Sequence, residues 1–310
     1  MTGTQERKGW DYEEVKVGQS ALPTTTVVTE DSVSKWAVAV RSERKEYLSP
    51  APGSLVAPAQ IFGLAPKNRG GIAENNGFEI IGEHATPFAK CEGRWFLPVR
   101  VGDTITSVAR VLEKYERRGN RFVTVRLEPT NQRGEKVAEV DHTSIFGWTK
   151  PDGNAAKSAR RERSGQSKSQ ASVSQGREAE ESVVEVDSIR VGDVAPALTV
   201  HSELKTKDSK ANSDGRFPWG VEHGVGGITI MGYIDEMLDQ WILSGSLYHG
   251  GRLLFKAIKN FRPGDTMVYS AVVCGKRREE GLTLIDFDVK GVNQQGQLTG
   301  VAEATVGVRN

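Results

Sequence analysis

The residues best suited to chemistry lie just before the most apolar helix-like stretch of the chain. His223 and Gly224 belong to the run VEHGVGGITIMGYIDEML, which covers residues 221–238, and Asp214 and Glu222 precede them. A histidine or a carboxylate at such a position could transfer a proton to or from a substrate. The same residues also fit simpler roles, because Asp214 lies in the turn-like sequence NSDG and Glu222 could cap a helix. The pattern thus allows a turn and helix start, a phosphate loop or the edge of an active site.

Several common site types are excluded by spacing. The glycine run HGVGG does not have the G-x-G-x-x-G spacing of a dinucleotide-binding loop, and no strand–helix–strand unit follows it. No P-loop, G-x-S-x-G or H-E-x-x-H sequence occurs. Cys91 and Cys274 are far apart and neither belongs to a C-x-x-C pair. We therefore predict neither a metal site nor a resident cofactor.

The apolar stretch predicts one long helix. Its apolar residues recur at spacings of three and four, which is the period of a helix with one buried face. The acidic residues Asp235, Glu236 and Asp239 lie between them, and we interpret these as a solvated or partner-facing side rather than as paired catalytic carboxylates. The apolar positions are Ile230, Met231, Ile234, Met237, Leu238, Trp241 and Ile242. A weaker helical counterpart in the first half spans residues 31–40 and 57–64.

The two halves of the chain are related to each other. RVGDTITSVARV, which begins at Arg100, matches RPGDTMVYSAVV, which begins at Arg262, at an offset of 162 residues. The same offset aligns several turn residues further on without a gap, so the chain is predicted to be a duplicated unit. After each Gly-Asp turn, alternating strand-like runs separated by turn residues predict an antiparallel meander. The fold class is therefore α+β, with each sheet wrapped around a helix.

Composition sets the domain boundaries and the general class. Residues 150–182 contain almost no large apolar residue and predict a flexible linker between modules at 1–149 and 183–310. The net charge of the 310 residues is +1, which does not favour nucleic acid or an anionic membrane as a partner. No run of apolar residues is long enough to span a bilayer, and the first residues do not resemble a signal peptide. We expect a cytoplasmic protein.

These motifs resemble those of the MaoC-like branch of the hot-dog superfamily, the R-specific enoyl-CoA hydratases and 3-hydroxyacyl thioester dehydratases. VEHGVGGITIMGYIDEML is similar to the helix entry of that family, and NFRPGDTM is similar to its strand entry. In the first half, GSLVAPAQIFG and LPVRVGDTI are similar to the corresponding entries of N-terminal modules. The order of the motifs fits the double hot-dog members, in which two modules are fused.

The resemblance implies a pocket for an acyl thioester of CoA or of a carrier protein. The N–H of Gly224 would polarise the thioester carbonyl, and His223 and Asp214 are the candidate acid/base groups. An N–H at a helix start, aimed at a developing enolate oxygen, stabilises the charge formed during addition or loss of water. We expect no cofactor beyond the thioester substrate. Apart from the resemblance, residual strand edges and apolar helix faces lead us to expect a homodimer. The residues expected to contact the substrate are Glu222, Val225, Met231 and Tyr47.

One family feature is missing from both halves. Catalytic members carry a G-D-x-N-P-x-H motif, but the matching stretch AVRSERKEYLSP has Ser42 in place of Asp and Tyr47 in place of His. In the second half the segment is shorter, because 72 residues separate Gly192 from Gly264 and 84 separate Gly18 from Gly102. The chain is thus a hydratase or dehydratase, a repurposed hot-dog pocket such as an isomerase or cyclase, or a non-catalytic partner that binds acyl thioesters. His84, His142, His201 and His249 are interpreted as structural or surface residues.

Overall fold

The first module combines short helices with two groups of strands. The computed structural model describes residues 8–80, 86–147, 184–202, 226–242, 245–259, 261–262 and 264–309. The helices of the first module are α1 (Glu30–Ala39), α2 (Lys45–Leu48), α3 (Ile61–Leu64) and α4 (Arg69–Asn75). Its strands are β1 (Lys8–Gly9), β2 (Thr24–Val27), β3 (Phe78–Glu79), β4 (Phe88–Trp95), β5 (Thr104–Ser107), β6 (Ala109–Arg117), β7 (Asn120–Leu127) and β8 (Ala138–Phe146).

The second module has one long helix and longer strands. Its helix α5 spans Gly227–Trp241, as the apolar periodicity predicted. Its strands are β9 (Leu198–His201), β10 (Arg252–Ala257), β11 (Thr266–Glu279), β12 (Leu282–Asn293) and β13 (Leu298–Arg309). The antiparallel meanders predicted after each Gly-Asp turn are confirmed as β6–β7–β8 and β11–β12–β13.

The two modules share one sheet. Nine strands pair in the order β6-β7-β8-β4-β10-β13-β12-β11-β9, and the modules meet where β4 pairs with β10. This junction is antiparallel and places Arg94 opposite Arg252 at one end and Lys90 opposite Lys256 at the other. Glu92 lies in the middle of this junction, where its Oε1 is 2.7 Å from Nε of Arg252 on the neighbouring strand. The α+β class is confirmed, and both modules belong to one continuous layer.

The duplication is visible in matching hydrogen bonds. Gly102 and Gly264 both have positive φ angles, 98° and 85°, at the turn that opens each meander. A glycine is favoured there because other residues rarely adopt this conformation. The contacts that recur in both modules are Arg100 N–H to Asp103, Thr104 N–H to Gln132, Arg262 N–H to Asp265 and Thr266 N–H to Gln294.

The central helices of the two modules differ in length. In the first module, a 3₁₀ turn (Pro58–Gln60) continues into α3, and Pro66 together with the pair Gly70–Gly71 keeps the following segment from forming one long helix. In the second module, α5 runs for 15 residues without such an interruption. Helix α1 packs closely on α5, because a Cβ added at Gly232 would lie 2.4 Å from Val40 Cγ1.

Candidate active site

The acidic residues of α5 form a buried cluster between the modules. We call Asp235, Glu236 and Asp239 the acidic cluster; their exposed fractions are 2%, 3% and 1%. Of the two expected settings, the solvated face is wrong, whereas a face covered by another part of the protein is what the structure shows. The reason is that the first module covers this side of α5: Ala59 N–H donates to Asp235 at 2.8 Å, and Tyr47 O–H donates to Asp239 at 3.2 Å.

Burial makes these carboxyl groups retain protons more strongly than usual. Burial is the main factor that raises the pKa of Asp239 to about 7, and Arg44 partly opposes it. Burial and the neighbouring Asp239 raise the pKa of Asp235 well above its usual value. Burial also raises the pKa of Glu236. Arg44 contributes the compensating positive charge and donates to the backbone carbonyl of Asp239. The cluster is therefore only partly ionised near neutral pH.

The first-module positions that match the family motif lie at this cluster. Ser42, which replaces the motif aspartate, hydrogen-bonds to Glu236. Tyr47, which replaces the motif histidine, is fully buried and contacts Asp239. The Ala59 N–H at the start of the first-module helix is bound by Asp235, so an internal carboxylate occupies the donor that could face a thioester carbonyl.

A second polar cluster lies on the inner face of the first module's sheet. We call Lys67, Arg69 and His142 the basic cluster. Lys67 Nζ donates to Ser144 Oγ at 2.9 Å, and His142 and Ser144 are both buried on β8. Arg69 Nη1 donates to Thr86 Oγ1 at 2.7 Å. These groups lie on the side of the sheet that faces the helices.

The basic cluster is close to the start of α5. The ring of Phe88 lies edge-on to His142, with ring centroids 5.2 Å apart. The same ring lies against Gly227, the first residue of α5, where an added Cβ would be 2.5 Å from it. Phe88 also stacks on Phe255 of β10 at 5.8 Å. One aromatic ring thus separates His142 from the helix start.

Burial lowers the pKa of the groups in the basic cluster, which weakens their positive charge. Burial and the neighbouring Arg69 lower the pKa of Lys67 to about 8. Burial, followed by Lys67, lowers the pKa of His142 well below its usual value, so the imidazole is neutral at physiological pH. Within the part of the chain that the structure describes, His142 Nδ1 and Arg69 Nε are buried without a hydrogen-bond partner.

Most of the residues predicted for the site lie outside the described residues. Gly224, His223, Asp214, Glu222 and Val225 all fall within 203–225, so their predicted roles stay predictions. Met231 is fully buried in α5 and Tyr47 is buried in the acidic cluster, and their roles as substrate contacts stay predictions too.

The sequence predicts a structural or surface role for His142, and no motif singles out Lys67. A signal was available for His142: Ala138, Val140, His142, Ser144 and Phe146 alternate along β8, which places the histidine on the buried face.

The described residues contain neither a group of metal-ligating side chains nor a helix suited to cross a membrane. No three histidine, cysteine or acidic side chains among them are grouped so that they could hold a metal ion. None of the helices in those residues combines the length and the apolar character that crossing a bilayer requires.

Comparisons with known proteins agree with the duplicated architecture. A family model described as the FAS1-like dehydratase domain region matches residues 16–140. No curated protein matches the chain in sequence. A solved MaoC-like dehydratase is 15% identical, with a TM-score of 0.67, and the match covers 96% of this chain and 99% of that one.

Two more solved structures match over nearly their whole length. A putative MaoC domain protein dehydratase from Chloroflexus aurantiacus is 13% identical with a TM-score of 0.61, and 99% of each chain is covered. A double hot-dog protein from Mycobacterium tuberculosis is 11% identical with a TM-score of 0.56, and 97% of this chain and 99% of that one are covered. These structures show the double hot-dog fold, and the first module matches the dehydratase-region model over residues 16–140.

Proposed function

We propose that the chain is an acyl-thioester hydratase or dehydratase with a single working site, located at the start of α5. The observation that carries this proposal is the contact of 2.8 Å between Ala59 N–H and Asp235. This contact closes the helix start of the first module to a substrate carbonyl. In the described residues, no side chain caps the start of α5 by a hydrogen bond, and the ring of Phe88 lies against Gly227 there.

The proposed chemistry is addition of water to a conjugated enoyl thioester, or the reverse. The hydroxyl of water bonds to C3 and a proton is delivered to C2, while negative charge develops on the thioester oxygen. In this proposal the Gly224 N–H stabilises that oxygen, and Asp214 and His223 transfer the protons. Glu222, Val225 and Met231 would line the pocket. The thioester is the only small molecule that the reaction needs besides water.

We extend the proposal to a cytoplasmic homodimer. The described Cys91 and Cys274 are both free thiols, which is typical of a reducing compartment. Strands β6 and β9 end the nine-stranded sheet; residues 18–21 already pair with β6, so the edge offered to a second copy is that of β9. Sedimentation of the purified chain checks this part, because a monomeric mass at micromolar concentration would contradict the dimer.

The test is a spectrophotometric assay with short, medium and aromatic enoyl-CoAs. Loss of the conjugated enoyl absorbance is expected for the wild type, and it should be abolished in Asp214→Ala or His223→Ala. Lys35→Met is the matched control, because Lys35 is exposed and, in the described residues, pairs with its helix neighbour Asp31. Binding of acyl-CoA without turnover would overturn the hydratase proposal and identify a chain that binds thioesters without transforming them.

A further inference from the structure

The two cations of the basic cluster lack an acidic partner in the described part of the chain. Lys67 Nζ contacts a hydroxyl, that of Ser144, and Arg69 contacts the hydroxyl of Thr86 and lies 5.0 Å from the centroid of the Phe146 ring. His142, with 6% of its surface exposed, adds a ring nitrogen without a partner. Three groups that can donate to an anion therefore lie together and none is neutralised by a described carboxylate.

The outer face of the same strand shows the usual arrangement. Arg126 pairs with Asp141 there through two contacts, at 2.7 Å and 2.6 Å. Asp141 and His142 are neighbours on β8 and point to opposite faces of the sheet. On the solvent side of the sheet, Arg126 is thus paired with an acid. On the side of the helices, Lys67 and Arg69 have no described acidic partner.

Removing cations from water without a counter-charge is unfavourable, and the deficit is relieved when an anion binds. Ammonium, guanidinium and hydroxyl donors are also the groups that hold carboxylate and phosphate oxygens in protein sites. Phe88 connects this cluster to the start of α5, so an anion bound there would lie beside the proposed reaction site.

We propose that Lys67, Arg69 and His142 form an anion-binding pocket that holds one anionic oxygen group of the thioester substrate. This proposal rests on the proposed function for the identity of the ligand. The anionic group has two sources: a carboxylate at the far end of the acyl chain, or a phosphate of CoA or of the carrier arm. Both present the same oxygens to the same donors.

The first experiment measures thermal unfolding of the full chain with glutarate or inorganic phosphate as the probe. A saturable rise in Tm is expected for the wild type, since a ligand that binds only the folded state stabilises it. The rise should be lost in Lys67→Met and Arg69→Met and kept in Lys67→Arg and in Lys35→Met, the exposed control. An equal rise in all variants would overturn the proposal, because it would reflect a general salt effect.

The second experiment distinguishes the two sources by binding calorimetry with unreactive saturated thioesters. Glutaryl-CoA and valeryl-CoA differ only in a terminal carboxylate against a methyl group, and valeryl-pantetheine lacks the phosphates together with the adenosine of CoA. An acyl carboxylate in the pocket predicts that glutaryl-CoA binds about tenfold more tightly than valeryl-CoA, and that Lys67→Met removes the difference. A phosphate in the pocket predicts that Lys67→Met instead reduces the difference between valeryl-CoA and valeryl-pantetheine and leaves the ratio of glutaryl-CoA to valeryl-CoA unchanged.

The two proposals fail separately. If Lys67→Met and Arg69→Met bind all three thioesters as the wild type does, the anion pocket is overturned, whereas turnover of enoyl-CoA in the first assay would still stand. If no enoyl-CoA is turned over but the variants lose anion-dependent binding, the pocket stands and the hydratase activity does not.

Discussion

The two helix starts of the duplicated fold have opposite surroundings. At the first-module start, Asp235 of α5 binds the Ala59 N–H, and Tyr47 and Arg44 complete a buried network around the acidic cluster. At the start of α5, Phe88 lies against the helix and the basic cluster is beside it, with two nitrogens that lack described partners. Equivalent places in a duplicated protein have thus diverged into a structural contact between modules and a candidate ligand site.

The largest loss of stability is expected from removing the Arg44 guanidinium, the positive charge beside the acidic cluster. Arg44→Met leaves the buried carboxyl groups without their cation, which costs about 3–5 kcal/mol in comparable buried networks. Urea denaturation at pH 8 measures the free energy of unfolding, with the exposed neighbour Lys45→Met as the control. If both variants lose the same small amount, Arg44 does not hold the modules together.

A smaller loss is expected from crowding the contact between α1 and α5. In Gly232→Ala the new methyl would lie 2.4 Å from Val40 and 2.9 Å from Trp36, so the helices must separate, at about 1–3 kcal/mol. The control is Gly70→Ala in α4, where a Cβ meets nothing within 4 Å. That change should be neutral or slightly stabilising, because alanine favours helix more than glycine does. Equal effects of the two substitutions would contradict the close packing.

The acidic cluster also predicts a pH dependence of stability. The pKa of Asp239 is raised from 3.8 to about 7, so between these values the folded chain keeps a proton that the unfolded chain releases. Stability is therefore greatest at low pH in this window and falls as pH rises towards 7, by at most about 1.4 kcal/mol per pH unit for one proton. Asp239→Asn should flatten this slope in urea titrations at successive pH values. A wild-type slope that the substitution does not change would show that Asp239 is not the group responsible.

The smallest loss of stability is expected at Tyr47. The same variant tests whether the first-module helix start is closed to substrate. Tyr47→Phe removes one hydroxyl that donates to Asp239 at 3.2 Å, which should cost about 0.5–1.5 kcal/mol of stability. If the first-module site is closed, KM for the enoyl thioester should not change. A large rise in KM with unaltered stability would instead place Tyr47 in the substrate pocket, as the resemblance implied.

Most of the strands and the long helix can be predicted from local sequence patterns, but the way in which the two modules join cannot. The alternating strands of both meanders and helix α5 could be predicted because their period is contained within each segment. Strands β4 and β10 do not follow from local pattern: charged residues such as Lys90, Glu92 and Arg94 alternate through β4, although it lies in the middle of the sheet. Their outward charges pair across the junction, which local periodicity cannot reveal.

The candidate sites were harder to predict for the same reason. Asp235 and Asp239 resemble a solvated helix face until a segment more than 170 residues earlier in the chain is placed over them. Lys67 lies in an ordinary loop sequence, and only its contact with Ser144, 77 residues further on, makes it a candidate. Long-range placement decides whether an ionisable side chain is exposed, paired or available to a ligand.

The contact between Asp235 and Ala59 has a consequence for symmetry. In a dimer of identical subunits, an acid that blocks one helix start blocks the equivalent start in the other subunit as well, because every interface residue appears twice. In such a dimer, a single substitution that introduces this acid would therefore block both sites at once. Fusion of the two copies into one chain removes that constraint. A carboxylate that would inactivate a symmetric dimer can then block one helix start only, and there it binds one module to the other.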